Sequence, residues 1–336
     1  MAVKFTKPEI NVREKLAELD KPSGIAGEAM LRADTVAEQQ AMIGAGRKNL
    51  IINGDFRVSQ RGDYTSATSA THNQLYLDRW TVRLTNVTAN ILHILGTNSA
   101  PGYPYKASNS LRLTATNSAT GVMRHLQRVE GFLSGRTLTI SAWVKSNSQN
   151  ARVFSYQHNG GTRVSSKPHS GNGQWEYLTL TTVNDANSAN QLYFDIALAS
   201  ETFTNIAITS GEYVEISEVQ MEVGNVATPF EYRLYGEELA LCQRYYYKTD
   251  IIRYLNLGRY NNNTGSGLAW WNHPVYMRAA ATMSSSGTWN TNTGYSGALS
   301  YAGISQDGCQ LSSSVNIAAN QMVYAHGARI IGDAEL

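Results

Sequence analysis

The chain has 336 residues, a formal net charge of +2 at pH 7 and only 16 % charged residues, beside 28 Gly and 19 Tyr. Its length suggests two or three domains, and so small a net charge provides no general attraction to nucleic acid or to an anionic membrane. Residues 1–20 carry charge throughout and have no apolar centre, unlike a signal peptide, and no apolar run approaches the roughly 20 residues of a membrane span. Cys242 and Cys309 are the only cysteines. They form neither a disulfide framework nor a metal set, which fits folding in a reducing cytoplasm.

Residues 1–47 differ in pattern from the rest of the chain. Asn11 and Glu14 have capping-box spacing, so Val12–Asp20 reads as a short helix ending before Pro22. Thr35 and Glu38 repeat the spacing, and Gly44 is the stop. Neither helix is long enough to be stable alone. The segment has to pack on copies of itself, on another protein, or as a cover over the β region.

Residues 48–235 read as one all-β domain. Strand patterns recur at 78–85, 90–96, 110–116, 121–130, 136–146, 151–158, 174–182, 190–199 and 204–222. That density predicts a two-sheet sandwich, and a jelly roll fits the count. The alternation assigns faces. Leu138, Ile140, Ala142 and Val144 share the core side, which turns Trp143 outward. Leu178 and Leu180 look inward and leave Trp175 and Tyr177 outside. Leu192, Phe194, Ile196 and Leu198 point in, so Tyr193 and Asp195 point out. In 153–158, Phe154, Tyr156 and His158 form the aromatic side.

Aromatic rings on the polar face of a strand need an explanation. One is a sugar, whose C–H face packs on a ring while its hydroxyls bond to Asn, Gln, Asp or Lys. The other is burial beneath a loop, beneath the N-terminal helices or in a subunit contact.

The stretch 211–247 changes period. Tyr213, Glu215, Ser217, Val219 and Met221 alternate with Val214, Ile216, Glu218, Gln220 and Glu222, as in a strand. Gly224 and Pro229 end it. Leu239, Cys242 and Tyr246 then have the spacing of one helix face, with Glu237 and Glu238 at its start. Residues 236–336 read as a helix and a β-rich tip. Their apolar alternations are short, separated by 261–267 and 284–290, so the tip is expected to be marginal as a monomer. Trp270, Trp271, Trp289, Tyr295 and Tyr301 lie among Ser, Gly and Asn, the composition of recognition loops. Packing between subunits is the alternative for them.

Catalytic motifs are missing: no G-x-S-x-G elbow, H-E-x-x-H, P-loop or Rossmann fingerprint occurs. The seven histidines show no ligand spacing. Glu176 and Asp195 are the carboxylates beside the proposed aromatic face, where a pair could hydrolyse a glycan.

Two strings carry a family resemblance. V-Q-M-E-V-G-N-V-A-T-P-F-E-Y-R at 219–233, continued by G-E-E-L-A-L-C-Q-R-Y-Y at 236–246, resembles the junction that closes a jelly roll in bacteriophage tail fibre and related receptor-binding proteins. K-N-L-I-I-N-G-D-F-R-V-S-Q-R-G at 48–62, with Asp78-Arg79-Trp80, resembles the opening of that module, which is similar to carbohydrate-binding modules. The likeness covers about half the chain.

That resemblance implies a non-enzymatic virion protein. Residues 1–47 would be an attachment arm docking on other tail or baseplate proteins, 48–235 a jelly roll and 236–336 a trimeric tip. Three copies would join through Leu239, Cys242 and Tyr246. Host polysaccharide would be the partner, gripped by Trp143, Tyr156, Trp175, Tyr177, Tyr193, Asp195, Trp270, Trp271 and Trp289, without nucleic acid or membrane insertion. The family's structural calcium would fall at Asn53, Asp55, Glu215 and Glu218, hard oxygen donors that suit it, although Arg57 stands where the family commonly has an acid. A purely structural virion component and a glycan-degrading depolymerase are the alternatives.

Overall fold

The computed structural model describes residues 48–96, 109–130, 135–157, 163–184, 191–259, 267–292, 296–297, 299–313 and 322–335. The two expected helices of residues 1–47, like Tyr295, lie outside them. By its contacts the chain divides after Lys48, and Asn49–Leu336 form one compact unit.

Thirteen described strands build the first part: β1 (Thr68–Ser69), β2 (Gln74–Leu75), β3 (Thr81–Thr85), β4 (Ala89–Ile94), β5 (Ser110–Ala115), β6 (Ala119–Glu130), β7 (Thr137–Ser146), β8 (Ala151–Gln157), β9 (Val164–Ser165), β10 (Trp175–Val183), β11 (Gln191–Leu198), β12 (Ile206–Ile208) and β13 (Tyr213–Val223). They lie in two antiparallel sheets. Sheet one has the order β1-β4-β5-β13-β7-β10, and sheet two β2-β3-β6-β11-β8-β9, with β12 beside β6. From β5 to β8 the chain crosses between the sheets at every step, the connectivity of a jelly-roll β-sandwich. The alternation explains this: Leu138, Ile140, Ala142 and Val144 of β7 meet Phe194, Ile196 and Leu198 of β11 in one core with Trp80, Phe56 and Ile91. The expected strand at 204–222 is two strands, parted by a turn at Gly211 (φ +92°).

The two strings that carry the resemblance fold onto each other. Leu50 N–H donates to Met221 O (2.8 Å) and Val219 N–H to Gly54 O (2.9 Å). Gly54 is required there, because a Cβ would collide with the Val219 carbonyl. The buried Arg233 guanidinium reaches Ile51 O (3.1 Å), Asn49 O and the Glu238 carboxylate (3.2 Å). Trp80 Nε1 donates to Asn53 O (2.8 Å).

In β13 the alternation fails. A bulge between Ser217 and Gln220, with Glu218 at φ +48°, shifts the phase by one residue. Val214, Ile216, Val219 and Met221 therefore all enter the core, while Glu215, Ser217, Gln220 and Glu222 take the outer side. The expected pairing of Val219 and Met221 with Tyr213 is corrected.

Beyond the sandwich come α1 (Tyr235–Gln243), β14 (Tyr246–Lys248), β15 (Leu255–Arg259), β16 (Gly267–Asn272), β17 (Thr282–Ser286), β18 (Trp289–Thr291), β19 (Ser296–Gly297), β20 (Ser300–Ala302), β21 (Gly308–Ser313), β22 (Met322–His326) and β23 (Arg329–Asp333). They form three small sheets, β14-β23-β17, β15-β22-β18-β19 and β16-β21-β20. The expected loop at 284–290 contributes to two of those strands.

This part has its own core, in which Trp289, Met277, Leu311, Val323 and Ile330 are fully buried. It also docks on the sandwich. Glu335 bonds to Arg61 (3.1 Å) and Arg79, and Glu130 to Arg244 (2.7 Å) and Tyr245 (2.8 Å). Arg79 and Arg61 lie 3.6 and 3.8 Å from the ring centroids of Tyr245 and Tyr246. So burial expected from partner subunits is supplied within one chain. The helix is also corrected: Cys242 is fully buried and Tyr246 nearly so. Neither side chain is available to join subunits at an axis.

Candidate functional site

The outer face of sheet one gathers three of the expected rings. Thr137–Ser146 and Trp175–Val183 pair so that Tyr177 lies opposite Trp143 and Trp175 opposite Lys145. The Trp143 and Tyr177 ring centroids are 5.2 Å apart with planes at 52°. Tyr177 is 42 % exposed, and Trp143 and Trp175 are half-buried. Burial raises the Tyr177 phenol pKa, and the Glu222 and Glu218 carboxylates add to the rise. The phenol is therefore a neutral donor at physiological pH.

On the neighbouring strand, β13 puts Ser217 opposite Trp143 and Glu215 opposite Lys145. Glu215 is fully buried, accepting from Ser110 Oγ (2.6 Å) and Arg112 Nε (2.9 Å). This holds the Arg112 guanidinium 4.7 Å from the Tyr213 ring centroid. Tyr213 and Arg112 belong to the same face and were not singled out from the sequence. Their signal was present, because Tyr213 shares parity with Glu215 and Ser217.

The far end of the face is closed. Glu222 accepts from Thr228 N–H (2.8 Å) and Oγ1 (2.7 Å), and Gln220 Oε1 from Glu231 N–H (2.8 Å). The segment 228–231 thus covers Gln220 and Glu222, and Thr139 is tied to the Gly224 carbonyl (2.8 Å). What stays open is a strip of rings, Tyr177, Trp143, Trp175 and Tyr213, edged by Lys145 and Arg112.

Other expected site residues lie elsewhere. Tyr193 and Asp195 are on the outer face of sheet two, the opposite side of the sandwich, and are corrected from exposed to buried, at 2 % and 0 % exposure. The Arg83 and Arg128 guanidiniums lie 6.0 and 5.1 Å from the Tyr193 ring centroid. Arg124 donates to Asp195 Oδ2 (3.0 Å). Burial pushes the Asp195 pKa up to about 6, against the lowering effect of Arg124, Arg163 and Arg83. Tyr156 pairs with Tyr193 along the backbone, and its side chain lies outside the described residues.

Trp289 is corrected from a recognition loop to the core; it is fully buried and donates to Ser285 Oγ (2.9 Å). Trp271 is half-buried and donates to Tyr247 Oη (3.0 Å). Trp270 is 53 % exposed and donates to Asn272 Oδ1 (2.8 Å).

Two arrangements do not form. Glu176 stands on sheet one, bonded to Ser170 N–H (3.1 Å) and Ser170 Oγ, whereas Asp195 points away from the sandwich on sheet two. These carboxylates cannot flank one glycosidic bond.

The calcium donors also do not fit a metal. Asn53 Oδ1 accepts from Val58 N–H (3.0 Å), Asp55 pairs with Arg57, and Glu215 is spent on Arg112 and Ser110. Among the described residues no group of three or more His, Cys, Asp and Glu could hold a metal ion. At Asp55 a guanidinium provides the positive charge.

No family model and no curated protein matches the chain. Among solved structures, it is similar to the enzymatically active domain of tailspike protein 4 of bacteriophage CBA120, at 15 % identity and a TM-score of 0.34, over 52 % of this chain and 21 % of that one. TmCBM61, solved in complex with β-1,4-galactotriose, is similar at 11 % identity and a TM-score of 0.32, over 53 % of this chain and 100 % of that one. A family 11 carbohydrate-binding module of a Clostridium thermocellum cellulosomal cellulase is similar at 12 % identity and a TM-score of 0.28, over 49 % and 98 %. Fold and face together define a jelly-roll β-sandwich with an open aromatic strip on one sheet.

Proposed function

We propose that the chain is a virion surface protein, a tail fibre or related receptor-binding component, that attaches the particle to host surface glycan. The observation that carries this is the convergence of Trp143, Trp175 and Tyr177 on the solvent side of sheet one, in register on adjacent strands. Rings in a row offer flat apolar faces to successive sugars, and Lys145, Arg112 and the Tyr177 hydroxyl offer donors to their hydroxyls. Residues 1–47 are the attachment arm, and the working form is a homotrimer whose contacts use surfaces other than the buried Cys242 and Tyr246. Three weak sites on one particle raise apparent affinity by about 10²- to 10⁴-fold where geometry allows.

Retention on immobilised host envelope polysaccharide tests the reading. The wild type is held and released by millimolar free sugar, while Trp143→Ala and Tyr177→Ala each abolish retention with the fold intact. Equal passage of all three proteins would overturn it.

A purely structural virion component is the second reading, favoured by one observation. Val226, Tyr232, Leu234 and Tyr235 are 58, 39, 81 and 54 % exposed within ten residues of chain. So apolar a run suits packing against a neighbouring subunit or virion protein. On this reading the strip on sheet one is also covered in the assembled particle.

A further inference from the structure

The outer face of sheet two carries a feature that glycan adhesion through sheet one does not use. The antiparallel register places Arg83 opposite Arg124, Arg124 opposite Ala197, and Ala197 opposite Arg152. Three arginines thus form a row across four neighbouring strands, β3-β6-β11-β8. At about 4.8 Å per strand the row spans roughly 14 Å. Arg128 stands two same-face positions along β6, opposite Tyr193, and Arg163 joins from the segment before β9, 3.6 Å from the Phe203 ring centroid.

Like charges directly opposite on paired strands oppose folding. Arg83 facing Arg124 is such a pair, and the carboxylate at the centre of the face is the buried Asp195. Among the described residues Asp195 is the carboxylate that pairs with this row, so Arg83, Arg124 and Arg152 together carry excess positive charge on a chain whose total charge is only +2.

The guanidiniums are also held in place. Arg124 is fixed by Asp195 (3.0 Å), Arg83 by Asn73 Oδ1 (3.0 Å) and Arg152 by Ser166 O (3.2 Å). Phe203, packed edge-on against Phe154 at 4.8 Å, supports Arg124 and Arg163 from the side. All five arginines are partly buried; the Arg124 side chain, paired with Asp195, is 12 % exposed. A cleft lined by Asn73, Leu75, Thr81, Arg79, Arg128 and the Glu335 carboxylate continues the face toward the junction.

We propose that this arginine row is a second binding site, for an anionic polysaccharide lying across the strands with its carboxylate or phosphate groups on Arg83, Arg124 and Arg152. Planar guanidiniums at strand spacing suit such groups, because each can take two parallel hydrogen bonds. A nucleic acid fits the described face less well. Of its described aromatics, Tyr193 and Phe154 are buried and the half-buried Phe203 has the Arg163 guanidinium 3.6 Å from its ring centroid, which leaves no row of open rings for stacking bases. Asp195 acts here as a positioning residue for Arg124.

The test compares wild type, Arg83→Gln/Arg152→Gln and Trp143→Ala on polygalacturonate, on neutral dextran and on single-stranded DNA of matched charge. Expected is wild-type retention on polygalacturonate that weakens steeply with salt. In the double arginine variant it is at least tenfold weaker, and the slope of log K against log salt falls by about one per arginine removed. The double arginine substitution weakens polygalacturonate binding by the same factor when it is introduced into Trp143→Ala, which separates this site from the strip on sheet one. Thermal unfolding confirms that each variant is folded. Undiminished retention of the double variant, equal retention on dextran, or tighter binding of DNA than of polygalacturonate overturns the proposal.

Discussion

Glu335→Gln tests whether the sandwich and the C-terminal sheets act as one body. Glu335 is the shared acceptor for Arg79 and Arg61, and its side chain is 9 % exposed. The Arg79 side chain is only 3 % exposed. Its other partners are Arg128 O (2.6 Å) and the Tyr245 ring. Removing the carboxylate charge leaves a buried guanidinium without its counter-ion, which costs about 3–5 kcal/mol. The neutral amide keeps one acceptor oxygen, so the lower end, about 3 kcal/mol, is expected. At about 2–4 °C per kcal/mol for a unit of this size, the unfolding midpoint falls by about 6–12 °C.

The matched control is Asp333→Asn. Its carboxylate is 39 % exposed and 3.4 Å from Arg61, an arrangement worth under about 1 kcal/mol. Calorimetry of both variants beside the wild type reads the difference. If the two substitutions lower the midpoint equally, or if Glu335→Gln lowers it by less than about 2 °C, the junction is not held by this buried pair.

Two further outcomes rest on the same physics. Burial alone would raise the Glu130 pKa, but hydrogen bonds from Arg244 and Tyr245 and the charges of Arg244 and Arg278 hold it below its ordinary 4.5. The stability it contributes is therefore present above about pH 4.5 and lost as pH falls through the depressed folded value. Urea unfolding across pH 3–6 measures this; the acid-side loss is smaller in Glu130→Gln, and an unchanged slope refutes the assignment. The two tip tryptophans separate by burial: Trp289→Ala empties the C-terminal core and costs about 3–5 kcal/mol, whereas Trp270→Ala stays within about 1 kcal/mol. Denaturant midpoints check both, and a large loss at Trp270 would place that ring in packing instead of at the surface.

Much of the sandwich was legible because its strands carry their own evidence. In β7 and β10 one face is continuously apolar and the other is not, so the residues that turn outward, Trp143, Trp175 and Tyr177, can be assigned from parity alone. The register that brings them together cannot, since it depends on which strands pair, and β10 reaches β7 across an intervening crossing to sheet two. In β13 parity misled because a single bulged residue, Glu218, reverses the phase. Nothing local marks it: the cause is the approach of Gly54, some 160 residues earlier in the chain, whose carbonyl takes the Val219 N–H.

Tyr193 and Asp195 show a second limit. Their strand alternates as read, and they do point away from the core, yet arginines from β3 and β6, with Arg163, close over them. Outward is therefore not the same as exposed, and the distinction decides function. On sheet one the outward rings meet solvent edged by Lys145 and Arg112, so apolar area is left for a ligand to cover. On sheet two the ring and the carboxylate are spent beneath, and what meets solvent is guanidinium. One fold thus presents two chemically opposite faces, and only a ligand experiment that varies charge independently of sugar identity can assign them separately.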